Sequence, residues 1–257
     1  MLRAKWYAWY ALWIYLPYSM LARAYRQESR ALRGVKNPHQ QKTRLRQSSW
    51  RSFLRSKPIR LAETEKVKGN VRLSELAVLA KAAANVTPGT PIIEIGTFDG
   101  RTTLNLAINS ASNVPVVTLD LPKDFTPKFP MNIGEYKLAN KPISGARYRN
   151  CASIWTKDAA RITQLLGDSA TFDWSPYIGK AGLVFVDGSH TYENVLNDCD
   201  VAFHLVAPGG MIVWHDYGVW EEVTRVLDEI EMAKGLGLRH IRGTSLVIWR
   251  ERKIMSD

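Results

Sequence analysis

The chain has 257 residues, 46 % of them hydrophobic, which is enough for one α/β domain with a sizeable core and an extension. Its two cysteines, Cys151 and Cys199, argue against a disulfide framework and favour a reducing, cytoplasmic compartment. The net charge of +11 is unevenly placed, because residues 1–60 hold 14 Lys and Arg against one acid, Glu28, and the remainder holds 21 basic and 23 acidic residues. We therefore predict a basic N-terminal extension over residues 1–60 and a near-neutral domain over residues 61–257.

The extension begins with an aromatic stretch, Trp6–Ala22, of 17 uncharged residues that include three Trp and four Tyr. A helix that crosses a bilayer needs about 20 apolar residues, and Pro17 and the Tyr hydroxyls weaken that interpretation. Trp and Tyr prefer the membrane interface, and flanking basic residues are attracted to anionic lipid. Three interpretations stay open: residues 1–26 lie peripherally on the inner face of the membrane, they pack on the domain or in a homodimer, or they span the bilayer.

Residues 27–60 are polar and basic, and the pattern predicts a linker or arm. Basic tracts of this kind neutralise nucleic-acid phosphates, but nothing in the segment is suited to reading bases, so we do not expect nucleic acid as the main partner. A solvated segment beside a membrane or an acidic partner is the more common explanation.

The globular pattern begins near Arg72 and alternates between helices and strands. Such alternation predicts an α/β fold with a doubly wound, mostly parallel, seven-stranded sheet and an antiparallel edge strand. Pro122–Pro142 is predicted to be irregular, and Ala159–Leu165 fits either a helix or a strand. The predicted helices are Leu73–Asn85, Thr102–Ser110, Tyr192–Leu205 and Trp220–Lys234, and the predicted strands are Ile92–Ile95, Val114–Leu119, Leu183–Val186, Met211–Trp214, Leu238–Ile241 and Ser245–Trp249.

The segment Pro91–Thr103 carries the strongest signal for a ligand. Its apolar strand contains Glu94 and ends in a loop with Gly96 and Gly100 at the start of a helix, where bare backbone and free N–H groups face a ligand. Two glycines four apart, without a third, do not form the GxGxxG dinucleotide motif, which excludes an NAD-dependent dehydrogenase. Asp120 and Asp187 end two further strands, so they are expected in the same crevice at the carboxyl edge of the sheet.

Five ordered motifs carry a resemblance to a known family: EIGTFDGRTT, TLD, LLGDSA, FVDGSHTYENVLND and APGGMIVWHDY. The chain from about Leu73 to Arg252 resembles the class I S-adenosylmethionine (SAM)-dependent methyltransferases. Within this class it is similar to methyltransferase domain family 24, which is related to the sugar O-methyltransferases. The resemblance implies a Rossmann-like fold and SAM as the cofactor.

The resemblance also implies which residues bind SAM. Asp120 would hold the ribose, and Asp168, followed by Ser169, would accept from the adenine amine, although Asp168 also fits a simple turn residue. Asp99 would contact the cofactor or cap the following helix. The residues expected around the cofactor are Glu94, Gly96, Thr97, Asp99, Gly100, Asp120, Asp168, Ser169 and Asp187.

A second group of residues, in DGSH and WHDY, is predicted to carry the chemistry. His190 lies three residues after Asp187, where a neutral imidazole suits removal of a hydroxyl proton, and a structural hydrogen bond to Asp216 is the alternative. Related enzymes hold a divalent cation near these strand ends, which implies a site from Asp187, His215 and Asp216. Because His215 replaces an acid of some relatives, the site would suit Mn²⁺ better than Mg²⁺.

These residues predict a SAM-dependent O-methyltransferase whose acceptor is a hydroxyl of a small molecule, sugar or glycolipid, with His190 as the base. One alternative is a methyltransferase of RNA or protein recruited by the basic arm, although the chain lacks an NPPY-like amine-methylating motif. The other is a cofactor-binding, membrane-associated module without turnover, against which the joint presence of His190, Asp187 and Asp216 argues.

Overall fold

The computed structural model describes residues 43–139 and 144–251, and the aromatic stretch 6–22 and residues 140–143 lie outside them. An eight-stranded sheet forms the centre of the described domain. In these ranges no helix has the length and apolar character needed to cross a bilayer. The strands are β1 (Gln47–Ser48), β2 (Ile92–Ile95), β3 (Val116–Asp120), β4 (Ile162–Leu166), β5 (Ala181–Val186), β6 (Val206–Trp214), β7 (Arg239–Ile241) and β8 (Val247–Arg250).

The order across the sheet is β1-β7-β8-β6-β5-β2-β3-β4. Strand β8 runs antiparallel to β6 and β7, and the other neighbours are parallel. This confirms the predicted doubly wound, mostly parallel α/β fold. The chain passes from β2 outwards to β3 and β4 and then returns to β5 on the other side of β2, so the change of direction falls between β2 and β5. Ligands of such sheets bind at this point, beyond the carboxyl ends of the strands.

Long helices cover both faces of the sheet. Helices α1 (Leu73–Ala84) and α2 (Arg101–Asn109) contribute to one core, and α6 (Tyr192–Leu205) and α7 (Glu221–Lys234) contribute to the other. Strand β5 shows why both faces are covered, because Leu183 and Phe185 enter the first core while Val184 and Val186 enter the second. A strand buried on both faces reads as a continuous apolar run, which is the pattern that predicted it.

The short elements differ more from the sequence predictions. The stretch predicted to be irregular contains α3 (Ile133–Ala139), which is followed by α4 (Ala146–Arg149). The ambiguous stretch resolves into α5 (Thr156–Ala159) and strand β4. These elements are too short for hydrophobic periodicity to separate them from loops.

Part of the predicted linker packs on the domain and adds the strand that brings the sheet from seven to eight. Strand β1 pairs in parallel with β7, and Leu45 and Leu54 are buried. The hydroxyl of Tyr217 accepts hydrogen bonds from the backbone N–H of Leu45, at 2.9 Å, and of Arg44, at 3.0 Å. A strand of two residues is too short to show the alternation of apolar and polar residues, so the sequence did not predict this contact.

A polar stripe on α2 fixes the chain before α1. The amide side chains of Asn109 and Asn105 each pair with both backbone groups of a single residue, Arg60 and Ala62 respectively, at 2.8–3.0 Å. The guanidinium of Arg101, which is 1 % exposed, donates to the carbonyls of Glu63, Val71 and Thr64 at 2.6, 3.0 and 3.2 Å. Residues four apart share one helix face, so α2 holds the preceding segment, residues 63–71, which we call the strap.

Replacing Arg101 with Met should destabilise the domain, because three strap carbonyls would lose their charged donor. We expect the free energy of unfolding to fall by about 3 kcal/mol, as measured by urea unfolding. Arg101→Lys should recover only part of this loss, since an ammonium lacks the planar fork that reaches three carbonyls. Arg225→Met on exposed α7 is the control and should change stability by no more than about 0.5 kcal/mol. Equal effects at the two positions would contradict the role of the strap.

Candidate active site

A cavity of about 370 Å³ opens at the carboxyl ends of β2, β3, β5 and β6. This volume falls in the range of small-molecule sites. Six carboxyl groups line it, and they come from strand ends, from the loop after β4, and from helices α3 and α6. They belong to Asp120, Glu135, Asp168, Asp187, Asp198 and Asp216.

Gly96, at the end of β2, brings two strands into contact beneath the cavity. Its φ of +99° is left-handed, and a Cβ there would lie 2.1 Å from the carbonyl oxygen of Asp187 at the end of β5. No side chain fits in that space, so the glycine is required sterically. Gly100 also has a positive φ, but its Cβ would meet Gly145 and the Tyr148 ring, and it does not line the cavity.

Glu94 lies under the loop and is fully buried. Its Oε2 accepts hydrogen bonds from Thr103 and Thr118, and the Thr118 hydroxyl also bonds that of Thr97 at 2.6 Å. Its Oε1 has no hydrogen-bond partner among the described residues. Burial raises the pKa of Glu94 to about 8 despite the two threonine hydroxyls, so the acid is mostly neutral at pH 7. Glu94 is 0 % exposed and does not line the cavity.

The two acids predicted to bind the ribose and the adenine, Asp120 and Asp168, both line the cavity. Asp120 accepts from Ser144 and from the N–H of Leu121, and burial raises its pKa. Asp168 accepts from the N–H groups of Lys128 and Ala170 at 2.8 and 2.9 Å. The bond to Ala170 is the turn role that the sequence left open, and the carboxylate nevertheless faces the cavity.

Asp99 has a structural role in the described domain. Its Oδ1 accepts from the N–H of Arg101 at 3.0 Å, which caps α2, and its Oδ2 pairs with Arg147 Nε at 2.9 Å. Neither Asp99 nor Thr97 lines the cavity. Of the two roles predicted for Asp99, the geometry therefore supports the cap.

His190 lies between two carboxylates at the cavity wall. Its Nε2 donates to Asp216 Oδ2 at 2.8 Å, and its Nδ1 donates to Glu135. Burial lowers the pKa of His190, but the hydrogen bonds from Asp216 and Glu135 outweigh it and raise the pKa to about 9. The indole of Trp220 stacks on the imidazole, with ring centroids 4.6 Å apart and an angle of 18° between the planes. These contacts fix the orientation of the ring.

His215 is held away from the cavity. Its Nδ1 donates to Asp187 at 2.9 Å and its Nε2 donates to Glu75 at 3.3 Å. The charges of Asp187 and Asp216 outweigh burial and raise its pKa well above the usual range. Asp187, His190 and Asp216 each offer a ligand atom within 4.8 Å of one another. His215 Nδ1 lies 2.9 Å from Asp187 and 3.3 Å from Asp216, so the structure brings both histidines to the two acids.

Two acids at the site, Glu135 and Glu75, lie outside the five motifs, and Asp198 ends the fourth motif without a predicted role. Glu135 comes from α3, inside the stretch predicted to be irregular, and also accepts from the N–H of His190 and the hydroxyl of Ser189. Glu75 is buried on α1 and accepts from Ser245, and hydrogen bonds from His215 and Arg72 hold its pKa well below its usual range although burial opposes this. Asp198, on α6, is 2 % exposed and accepts from Ser169 at 2.5 Å.

The aromatic residues around the HDY turn divide into two groups. Trp214 and Tyr217 are each 1 % exposed and belong to the core, whereas Trp220 is 39 % exposed and lines the cavity. Asp216, between them in sequence, has a left-handed φ of 64°, which an Asp tolerates better than most side chains. The turn at Asp216 thus separates the cavity-lining Trp220 from Trp214 and Tyr217 in the core.

Comparisons with known proteins agree with the fold. The family model of methyltransferase domain family 24 matches residues 93–217. The chain is similar to a structural-genomics protein from Corynebacterium glutamicum, with 15 % identity over 73 % of this chain and 85 % of that one, and a TM-score of 0.52. It is also similar to the O-methyltransferase NovP, with 16 % identity over 71 % and 81 % of the two chains and a TM-score of 0.53. Among curated proteins, none matches the chain.

The family match, on a doubly wound sheet with a cavity at its carboxyl edge, defines the class of the protein: a class I methyltransferase domain. The protein is a SAM-dependent methyltransferase, with residues 93–217 forming the part shared with family 24. The prediction made from the five motifs is confirmed at this level. At these identities the two solved structures show the fold alone.

The buried Glu94 gives the domain a pH-dependent stability. Its pKa is about 8 in the fold against 4.5 as the ordinary value, so the folded state keeps a proton that the unfolded state releases. Stability should therefore fall as the pH rises from about 4.5 to 8. Glu94→Gln mimics the neutral acid and should be more stable than the wild type by up to about 5 kcal/mol at pH 9, and equal to it near pH 4.

The measurement is urea unfolding followed by tryptophan fluorescence at pH 4, 7 and 9. Glu193→Gln, at an exposed position on α6, is the matched control and should leave the pH dependence as it is in the wild type. If Glu94→Gln and the wild type lost stability equally between pH 4 and 9, Glu94 would be ionised in the fold.

Proposed function

We propose that the protein is an O-methyltransferase that methylates a hydroxyl of a small molecule or glycan, with His190 as the general base. The observation that carries the proposal is the position of His190. Its imidazole lines the same cavity as Asp120 and Asp168 and is oriented by two carboxylates and a stacked indole. A base held in this way beside a cofactor site suits removal of a proton from an acceptor.

The residues present fit SAM as the cofactor. Asp120 suits the ribose hydroxyls, Asp168 suits the adenine amine, and the loop that begins at Gly96 suits the methionine part. The many acids of the cavity also suit a ligand with two positive groups. When bound, SAM supplies a methyl group on an already reactive sulfonium, so the main task of the chain is positioning.

The acceptor is expected on the Trp220 side of the cavity. A hydroxyl has a pKa far above 7, so its proton must leave as the oxygen attacks, and the imidazole of His190 is oriented at the cavity wall to receive it. His190 accepts a proton only when neutral, and its pKa of about 9 makes the neutral fraction grow with pH up to that value. Trp220, which is partly exposed, offers an apolar face of the kind that stacks on sugars.

The first test combines cofactor binding with methyl transfer. We expect calorimetry to detect binding of SAM and not of NAD, and labelled SAM to transfer its methyl group to components of cell-envelope extracts. His190→Ala should lower turnover by roughly 10²- to 10⁴-fold, while the affinity for SAM changes less than about two-fold. The wild-type rate should rise with pH towards about 9, and the variant should lose this rise.

His204→Ala is the matched control, because His204 is an exposed histidine on α6 whose variant should keep full turnover. Intact activity in His190→Ala would show that His190 is not the base. Absence of SAM binding in the wild type would overturn the proposed function as a whole.

The same residues also suit the binding of a divalent cation. The ligand atoms of Asp187, His190 and Asp216 lie close enough together for one ion, and two carboxylates with an imidazole suit Mn²⁺ better than Mg²⁺. A bound cation would acidify an acceptor hydroxyl, in which case His190 would serve as a ligand and not as the base. The two roles of His190 exclude each other, so metal binding decides between them.

The metal is tested by the electron paramagnetic resonance signal of free Mn²⁺. If the cation site exists, the wild type should remove this signal, and Asp216→Asn should weaken binding by at least about 10-fold. Asp200→Asn, on the exposed side of α6, should bind as the wild type does. An unchanged signal with the wild type, together with full activity in EDTA, would leave His190 as the base without a metal.

A further inference from the structure

We propose that Lys68 binds the α-carboxylate of the methionine part of SAM. The proposal rests on the proposed function, since it concerns the cofactor of that reaction. Lys68 lies in the strap, outside the residues 93–217 that the family model matches, so the match assigns it no role.

The charged residues that line the cavity are the first reason to assign this role to Lys68. Among the residues that line the cavity, six are acids, and Lys68 is the one Lys or Arg. SAM has a sulfonium and an ammonium group, which the acids suit, and one carboxylate, which they repel. A ligand carboxylate placed among six acids needs a cation beside it, and Lys68 supplies one.

The position of Lys68 beside the loop from Gly96 to Gly100 is the second reason. The backbone of Gly69 packs against the ring of Phe98, so closely that a Cβ on Gly69 would lie 3.1 Å from two ring carbons. Phe98 belongs to the loop from Gly96 to Gly100 and lines the cavity. Lys68 therefore stands at the loop where the methionine part is expected, away from Asp168 at the adenine end.

The local structure holds Lys68 in this place. It occupies the second position of a turn in which the N–H of Asn70 donates to the carbonyl of Val67 at 3.2 Å, and the N–H of Val67 donates to Asn70 Oδ1 at 3.1 Å. Asn70 is buried, and Gly69 has a φ of +102°, as the third residue of such a turn requires. Arg101 fixes both ends of the strap, so the turn is built before a ligand arrives.

The neighbouring cations already have partners. Arg147 pairs with Asp99 and Glu63, and Arg72 pairs with Glu75. Lys68, by contrast, has no hydrogen bond or ion pair among the described residues. An ammonium on a flexible stem is a suitable partner for a single carboxylate.

The experiment measures calorimetric affinities for SAM and for decarboxylated SAM, which lacks only the carboxylate. Lys68→Met should weaken SAM binding roughly 5- to 20-fold and leave decarboxylated SAM within about two-fold of the wild type. Lys68→Arg should restore most of the affinity for SAM. Lys66→Met is the matched control at an exposed lysine two residues away that does not line the cavity, and it should change neither affinity.

Each outcome decides the proposal. Equal loss for both ligands, or no loss for either, in a Lys68→Met variant with the melting temperature of the wild type would overturn it. Unchanged SAM binding would leave the proposed function intact and assign the carboxylate to backbone N–H groups at the start of α2. A wild-type chain that binds neither ligand would overturn the proposed function and this inference together.

Discussion

The architecture of the site depends on one backbone contact, between Gly96 at the end of β2 and the carbonyl of Asp187 at the end of β5. These strands lie side by side where the sheet changes direction, and only a residue without a Cβ lets the loop after β2 pass so close to its neighbour. The contact sets the cavity floor and also fixes the backbone of Asp187, which contacts His215. A single steric condition thus places both the loop after β2 and the acid that accepts from His215.

Alternating charge organises the wall beside that floor. His190 lies between Glu135 and Asp216, and His215 lies between Asp187 and Glu75. Asp216 and Glu135 raise the pKa of His190, and Asp187 raises that of His215. The imidazoles in turn lower the pKa values of Glu135, Asp216 and Glu75. Acids from helices α1 and α3 thereby meet residues from two strand ends, which ties peripheral helices to the centre of the sheet. A site with this many ionised groups is sensitive to the charge of whatever binds there.

Much of the fold was predictable, because buried parallel strands read as apolar runs and the long helices have clear periodicity. The bounds of Ile92–Ile95 and Tyr192–Leu205 agree with the structure residue for residue. The site was predictable where a residue follows a strand, as Asp120 and Asp187 do. Glu75 and Glu135 were not, because each reaches the site from a distant helix and nothing local distinguishes it from a solvated acid. The polar stripe of Arg101, Asn105 and Asn109 was not predicted to be buried either, because a polar helix face is usually exposed to solvent.

The short strand β1 has a practical consequence for shortened versions of this protein. A chain cut at residue 61, the boundary that composition suggests, would lose β1, Leu45 and Leu54 along with the basic arm. Strand β7 would then become a free edge with unpaired backbone groups, flanked by apolar surface that those leucines cover. Free edges of this kind recruit strands from other molecules and promote aggregation. A soluble truncated form should therefore begin before Leu45, inside the segment that charge and composition assign to the extension.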